Sequence, residues 1–125
     1  MPHLRLAFLG FGNVGKALVR LLQDKRRDLQ DRYNLTFSIT GIATGRHGAA
    51  VHPGGIDPER ALTDPLPSLS IDPPPSSSLE FIFRCGADVL FENTPVNYDT
   101  GRPAVDYLRL ALEQGMHAIT ANKGP

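Results

Sequence analysis

Residues 10–17 read GFGNVGKA, and two phosphate-binding patterns overlap there. One is GxGxxG, carried by Gly10, Gly12 and Gly15; the other is GxxxxGK followed by a hydroxyl residue. The second pattern needs a Ser or Thr directly after the lysine to ligand a magnesium ion, and residue 17 is Ala, which has no oxygen to give. The dinucleotide pattern is left. In it Gly10 permits a tight turn, Gly12 lets a pyrophosphate approach the backbone, and Gly15 lets the following helix lie close to the preceding strand. The start of that helix, from Asn13 and Val14 onward, offers amides and the positive end of the helix dipole to an anion. Lys16 then reads as a helix-surface lysine rather than a phosphate-gripping one, and a tight turn without ligand is the competing reading of the motif.

Three further stretches hold groups that could act on such a cofactor. A dinucleotide fold that uses NAD places a carboxylate after its second strand to accept the ribose 2′-hydroxyl. Here Thr44-Gly45-Arg46-His47 occupies that place, with no carboxylate until Asp57. An arginine pairs with a 2′-phosphate and a carboxylate repels it, so Arg46 favours NADP(H), with NAD(H) left open as the alternative. The stretches Asn93-Thr94-Pro95-Val96-Asn97 and Ala121-Asn122-Lys123-Gly124-Pro125 each follow a strand and should face the nicotinamide end. Lys123 could donate a proton to a carbonyl oxygen while hydride reaches its carbon, although spacing alone favours a surface lysine. His3, His47, His52 and His117 have no metal-ligand spacing, so no metal is assigned. Cys85, in LEFIFRCG, reads as a small buried apolar residue and not a nucleophile.

The elements that must position these groups alternate. LRLAFL (4–9) is a short apolar run suited to a strand buried on both faces. Val14, Ala17, Leu18, Leu21 and Leu22 recur at helical spacing and predict an amphipathic helix, whose charged continuation DKRRDLQDRY runs over solvent to about Tyr33. LTFSITGIAT (35–44) is a second strand, interrupted by Gly41. Residues 45–78 hold seven of the eleven prolines and should be mostly loop, with short helices starting at Asp57-Pro58 and near Ser77. ADVLFEN (87–93) is the third strand; a helix capped by Asp99 or Thr100 with Pro103 in its first turn runs to Gly115; HAIT (117–120) is the fourth strand. The alternation predicts an α/β, Rossmann-like doubly wound parallel sheet in a three-layer sandwich, a single partial domain of about four main strands. Winding rules give the strand order second, first, third, fourth, with the ligand crevice between the first and third.

At 125 residues the chain suits one domain, residues 1–125. Thirteen basic residues balance thirteen acidic ones, so no general field draws it to nucleic acid or to an anionic membrane. A single cysteine and the lack of an apolar leader or spanning run fit a cytoplasmic protein.

GFGNVGKA, ENTPVNYDTGRPAVDYLRLALEQGMHAIT and above all TANKGP closely resemble the cofactor-binding domain of homoserine dehydrogenase. The resemblance runs through nearly the whole chain and is weakest in the proline-rich segment. It implies an oxidoreductase of amino-acid biosynthesis that interconverts aspartate 4-semialdehyde and homoserine with NADPH or NADH. It also implies that Lys123 is catalytic, that Gly10, Gly12, Asn13 and Val14 contact the pyrophosphate and adjoining sugar, and that Asn93, Thr94 and Pro95 lie near the nicotinamide. Members of that family carry a further substrate and dimerisation domain, with a second lysine and acidic residues for the amino acid. Residues 1–125 would therefore be the NAD(P)-binding domain, catalytically incomplete alone, within an assembly for which a homodimer is open. A stand-alone nucleotide-binding or regulatory module and a related amino-acid dehydrogenase are the alternatives.

Overall fold

A computed structural model describes residues 2–45, 47–71, 73–95 and 99–121. Ten elements follow in order: β1 (His3–Leu9), α1 (Asn13–Tyr33), β2 (Thr36–Ala43), β3 (Ala49–Ile56), α2 (Pro58–Thr63), a 3₁₀ turn (Leu66–Leu69), α3 (Ser78–Arg84), β4 (Val89–Glu92), α4 (Ala104–Glu113) and β5 (His117–Thr120). The sheet order is β3-β2-β1-β4-β5. β2, β1, β4 and β5 are mutually parallel, in the order expected, and β3 runs antiparallel to β2 at the edge.

Side chains along β1 alternate between two cores, as the pleat requires. Leu6 and Phe8 join Val19 of α1, Ala61 of α2 and the 3₁₀ residues Leu66 and Leu69 on one face, where Phe8 also stacks on Phe91 at 5.1 Å. Ala7 and Leu9 join Phe81 and Ile82 of α3 and Ala111 of α4 on the other. Helices thus cover both faces of the sheet, giving the three-layer α/β sandwich. The register between β1 and β2 shifts between Leu6 and Ala7, passing over Thr40, and the same residue is passed over in the β2–β3 ladder. Thr40 is therefore the extra residue of a bulge, which explains why Phe37, Ile39 and Ile42 all reach one core. Next to it, a Cβ on Gly41 would come within 2.8 Å of the Phe81 ring and 2.9 Å of Cys85 Cβ, so this glycine is what lets α3 lie against the sheet. Cys85 is buried as expected, and burial pushes its thiol pKa up.

Helix-start signals at Asp57 and Ser77 hold. Asp57 Oδ1 accepts from the Glu59 amide at 3.0 Å and Ser77 Oγ from the Glu80 amide at 3.1 Å.

Three sequence expectations are corrected. Residues 49–56 form a strand and not a loop: Ala49, Ala50 and Val51 pair with Ala43, Ile42 and Gly41, and Ile56 pairs with Ile39. His52–Gly55 lies between those two paired stretches, so Pro53 never has to supply a ladder N–H. The inward stripe of α1 is Gly15, Leu18, Val19, Leu22 and Leu29, whereas Val14, Ala17 and Leu21 are exposed. Gly15 sets that rotation, because a Cβ there would sit 3.0 Å from the Phe11 ring and 3.1 Å from the Gly10 carbonyl oxygen. The charged half of α1 runs over solvent to Tyr33 as expected, and there the Arg26 guanidinium lies 4.1 Å from the Phe37 ring centroid. Finally, α4 takes Pro103 as its N-cap residue with no side-chain cap, and Thr100 Oγ1 accepts instead from the Arg102 amide at 3.1 Å.

Candidate functional site

β1 lies between β2 and β4, and its carboxyl end is where the chain winds off in opposite directions on the two sides. The glycine turn is fastened to both neighbours there. Gly10 donates its amide to the Ala43 carbonyl at 2.8 Å, and the Leu9 carbonyl accepts from the Asn93 amide at 2.8 Å. Gly10 has φ +93°, and a Cβ on it would lie 2.6 Å from the backbone carbon and oxygen of Asn93. Only glycine satisfies both conditions.

Gly12 differs. Its φ is −93°, and a Cβ on it would meet nothing within 4 Å. The packing around it leaves open space where a side chain would stand. Gly12 is the N-cap residue of α1, and neither a side-chain cap nor an acidic residue in the first turn satisfies the helix's leading amides. A 21-residue helix thus presents orphan N–H groups and the positive end of its dipole to an open hollow. That hollow, about 220 Å³, is lined by Gly12, Asn13, Val14, Gly15, Asn93 and Thr94, together with Ala121. Val14, an apolar residue 56 % exposed, is one wall of it. The Asn93 side-chain Nδ2 is buried without a hydrogen-bond partner among the described residues, a donor left for an acceptor from outside the chain. An uncompensated helix start, an accessible backbone at Gly12 and an orphan amide are the features that a pyrophosphate-containing cofactor fits.

On the β2 side of the turn lies a second hollow of about 400 Å³, walled by Phe11, Lys16, Thr44, His47, Leu62 and Asp64 among others. Here the hairpin between β2 and β3 is short: Thr44 donates its amide to the Gly48 carbonyl at 2.9 Å, and its Oγ1 accepts from the His47 amide at 2.7 Å. Thr44 and His47 line this hollow, and Arg46 itself lies outside the described residues. Two of the walls escape a reading of the sequence. Lys16 is half-buried and turned to the hollow, not a plain surface lysine. Asp64, twenty residues after Thr44, puts a carboxylate on the lining of this hollow; it accepts from Arg60 Nε at 2.8 Å and Thr63 Oγ1 at 3.1 Å. The Arg60 guanidinium and then the Thr63 hydroxyl hold its pKa below the usual carboxylate range.

On the β4 side, Thr94 and Pro95 continue from Asn93 along the carboxyl edge as expected, and Thr94 joins the first hollow. Glu92, which sequence reasoning missed, is fully buried there. β5 ends beside it at Thr120, and Ala121 enters the same hollow as the glycine turn. Lys123, two residues on, lies outside the described residues.

No protein-family model matches the sequence. Curated relatives match it over nearly all its length. It is 31 % identical to an NAD(+)-dependent homoserine dehydrogenase of Pseudomonas canavaninivorans over 130 aligned residues, covering 100 % of this chain, and 34 % identical to a homoserine dehydrogenase of Methanocaldococcus jannaschii, covering 96 %. The chain is a Rossmann-like domain homologous to the homoserine dehydrogenases. It spans 37 % of the length of each of these two relatives. Among solved structures, a hyperthermophilic archaeal homoserine dehydrogenase in complex with NADPH superposes with a TM-score of 0.73 at 21 % identity, over 98 % of this chain and 37 % of that one. At that identity the likeness speaks for the fold. Within this homology, the glycine turn and the β4 and β5 exits form the carboxyl-edge crevice that the sequence predicts.

Proposed function

We propose that the chain is the nicotinamide-dinucleotide-binding part of a homoserine dehydrogenase, working on the interconversion of aspartate 4-semialdehyde and homoserine. The observation that carries the cofactor half of this reading is Gly12: its missing side chain serves no packing, yet it stands at the uncapped start of a long helix. The reaction half rests on homology over the whole chain to proteins that bear that name.

In this reading Gly12, Asn13 and Val14 receive the pyrophosphate on backbone amides, and Gly10 and Gly15 hold the turn that aims them. Asn93, Thr94 and Pro95 border the ring end, where the unpaired Asn93 amide orients a polar acceptor. A nicotinamide held there would supply the hydride that the aldehyde carbon takes up. Lys123 then gives a proton to the aldehyde oxygen as charge develops on it, so that one hydride and one proton convert aldehyde to alcohol. The remaining substrate contacts, and any second copy of the protein, belong to what lies outside this third of the enzyme.

We further propose NADP(H) as the preferred cofactor, held at its 2′-phosphate by Arg46, with Lys16 among the residues that line the hollow on the β2 side. Asp64, which lines the same hollow, opposes a phosphate, and Arg60 pairs with it at 2.8 Å. One relative is named for NAD and one structural neighbour was solved with NADPH, so names among relatives do not favour either. Titrating the protein with both reduced cofactors, before and after Arg46→Ala, tests the preference. The expected loss is about 1.5 to 3 kcal/mol in NADPH binding with little change for NADH; an unmodified protein that binds NADH more tightly refutes it.

A further inference from the structure

Glu92 is the last residue of β4, and its side chain is wholly shielded from solvent. A carboxylate in that setting is costly unless donors surround it, and an apolar side chain of similar volume would often do as well for stability alone. Donors do surround it, and they come from two separate strand exits. On the β4 exit, Oε2 accepts from the Thr94 amide at 2.7 Å and from the Thr94 hydroxyl. On the β5 exit, Oε1 accepts from Thr120 Oγ1 at 2.6 Å, and the Glu92 carbonyl accepts from the Ala121 amide at 3.2 Å. Asn93, between Glu92 and Thr94, is pressed against Gly10 on its other side.

We propose that Glu92 is a positioning residue: it ties the Asn93–Pro95 loop to the end of β5 and thereby sets the ring end of the cofactor crevice. This rests on the cofactor reading above. These hydrogen bonds remove the freedom that Thr94 and Thr120 would otherwise have, so the Asn93 side chain and the strand end leading to Lys123 keep one spacing. The residue touches neither cofactor nor substrate in this scheme. Its effect is therefore confined to the nicotinamide end, while the adenosine end, on the far side of the glycine turn, is independent of it.

The test uses two ligands with the chain and its Glu92→Gln, Thr120→Val and Thr120→Ser variants: NADPH, and 2′-phospho-ADP-ribose, which lacks the nicotinamide ring. Glu92→Gln puts an amide donor where donors already converge; Thr120→Val removes a single hydroxyl at nearly constant volume and guards against misfolding of the first variant. The expected result is a loss of about tenfold in NADPH affinity for Glu92→Gln and several-fold for Thr120→Val. Binding of the ring-less ligand should stay unchanged, and Thr120→Ser should restore NADPH affinity. Equal losses for both ligands would reveal a merely structural role, and unchanged NADPH binding would refute the role outright. An unmodified chain that binds the ring-less ligand but gains nothing from the ring also overturns it, whereas one that binds neither ligand brings down the cofactor reading and this inference with it.

Discussion

Replacing Gly10 and Gly12 singly with alanine separates a turn that only folds from a turn that also binds. At Gly10 the new methyl would lie 2.6 Å from the Asn93 carbonyl carbon and oxygen, on a backbone with φ +93°. The left-handed backbone costs about 1–2 kcal/mol for a residue with a Cβ, and forcing a methyl into packed backbone about 1–3 more. The sum, about 2–5 kcal/mol, is a large share of the roughly 5–15 kcal/mol by which a domain is folded, and corresponds to a fall in Tm on the order of 10 °C. At Gly12 the same methyl meets no atom within 4 Å and φ is −93°, so only the modest preference for glycine at an N-cap is lost, under about 1 kcal/mol. In the proposed cradle its methyl stands between the backbone and the pyrophosphate, and a loss of at least tenfold in NADPH affinity, about 1.4 kcal/mol, is expected. Calorimetric melting and a fluorescence titration of NADPH on each variant make the comparison. A Gly12→Ala protein that stays folded and binds NADPH as before would refute the cradle; a Gly10→Ala protein as stable as the parent would refute the packing.

Two further substitutions probe the carboxylate that precedes β4 and the lysine that follows β5 in sequence. Asp88 accepts from the Arg5 amide at 2.8 Å, from Nε at 3.2 Å and from Nη2 at 2.9 Å, and these contacts hold its carboxyl below the usual range. A depressed folded pKa adds stability above the unfolded value of about 3.9 that is lost as pH falls through the folded one. Asp88→Asn should thus lower Tm slightly at neutral pH, with the gap closing below about pH 4; a gap that persists in strong acid would exclude the linkage. Lys123→Ala in the complete enzyme should cut kcat by a factor on the order of a hundred while NADPH affinity holds. Full turnover in that variant would remove Lys123 from the chemistry.

Features encoded over a few neighbouring residues were readable from the chain alone. The glycine turn between an apolar run and a periodic segment, the caps at Asp57 and Ser77, the stop at Gly115 and the alternation that sets the order β2-β1-β4-β5 all depend on local backbone preference or on winding rules. What escaped depends on distance through space. β3 contains Pro53, Gly54 and Gly55, which read as loop, and only the edge of β2 offers a ladder whose gap accommodates them. The rotation of α1 was decided by contact of Gly15 with Phe11, which buried Val19 and left Val14 in the crevice, a choice that apolar spacing could not make. Asp64 and Lys16 became walls of one hollow because α2 packs beside α1. Glu92 became a tie between two loops because a parallel pairing sets it opposite Thr120, twenty-eight residues away. Local sequence determines which elements form and where they stop; which polar groups face one another is decided when two packed cores lock the sheet's register, and no short stretch of chain contains that information.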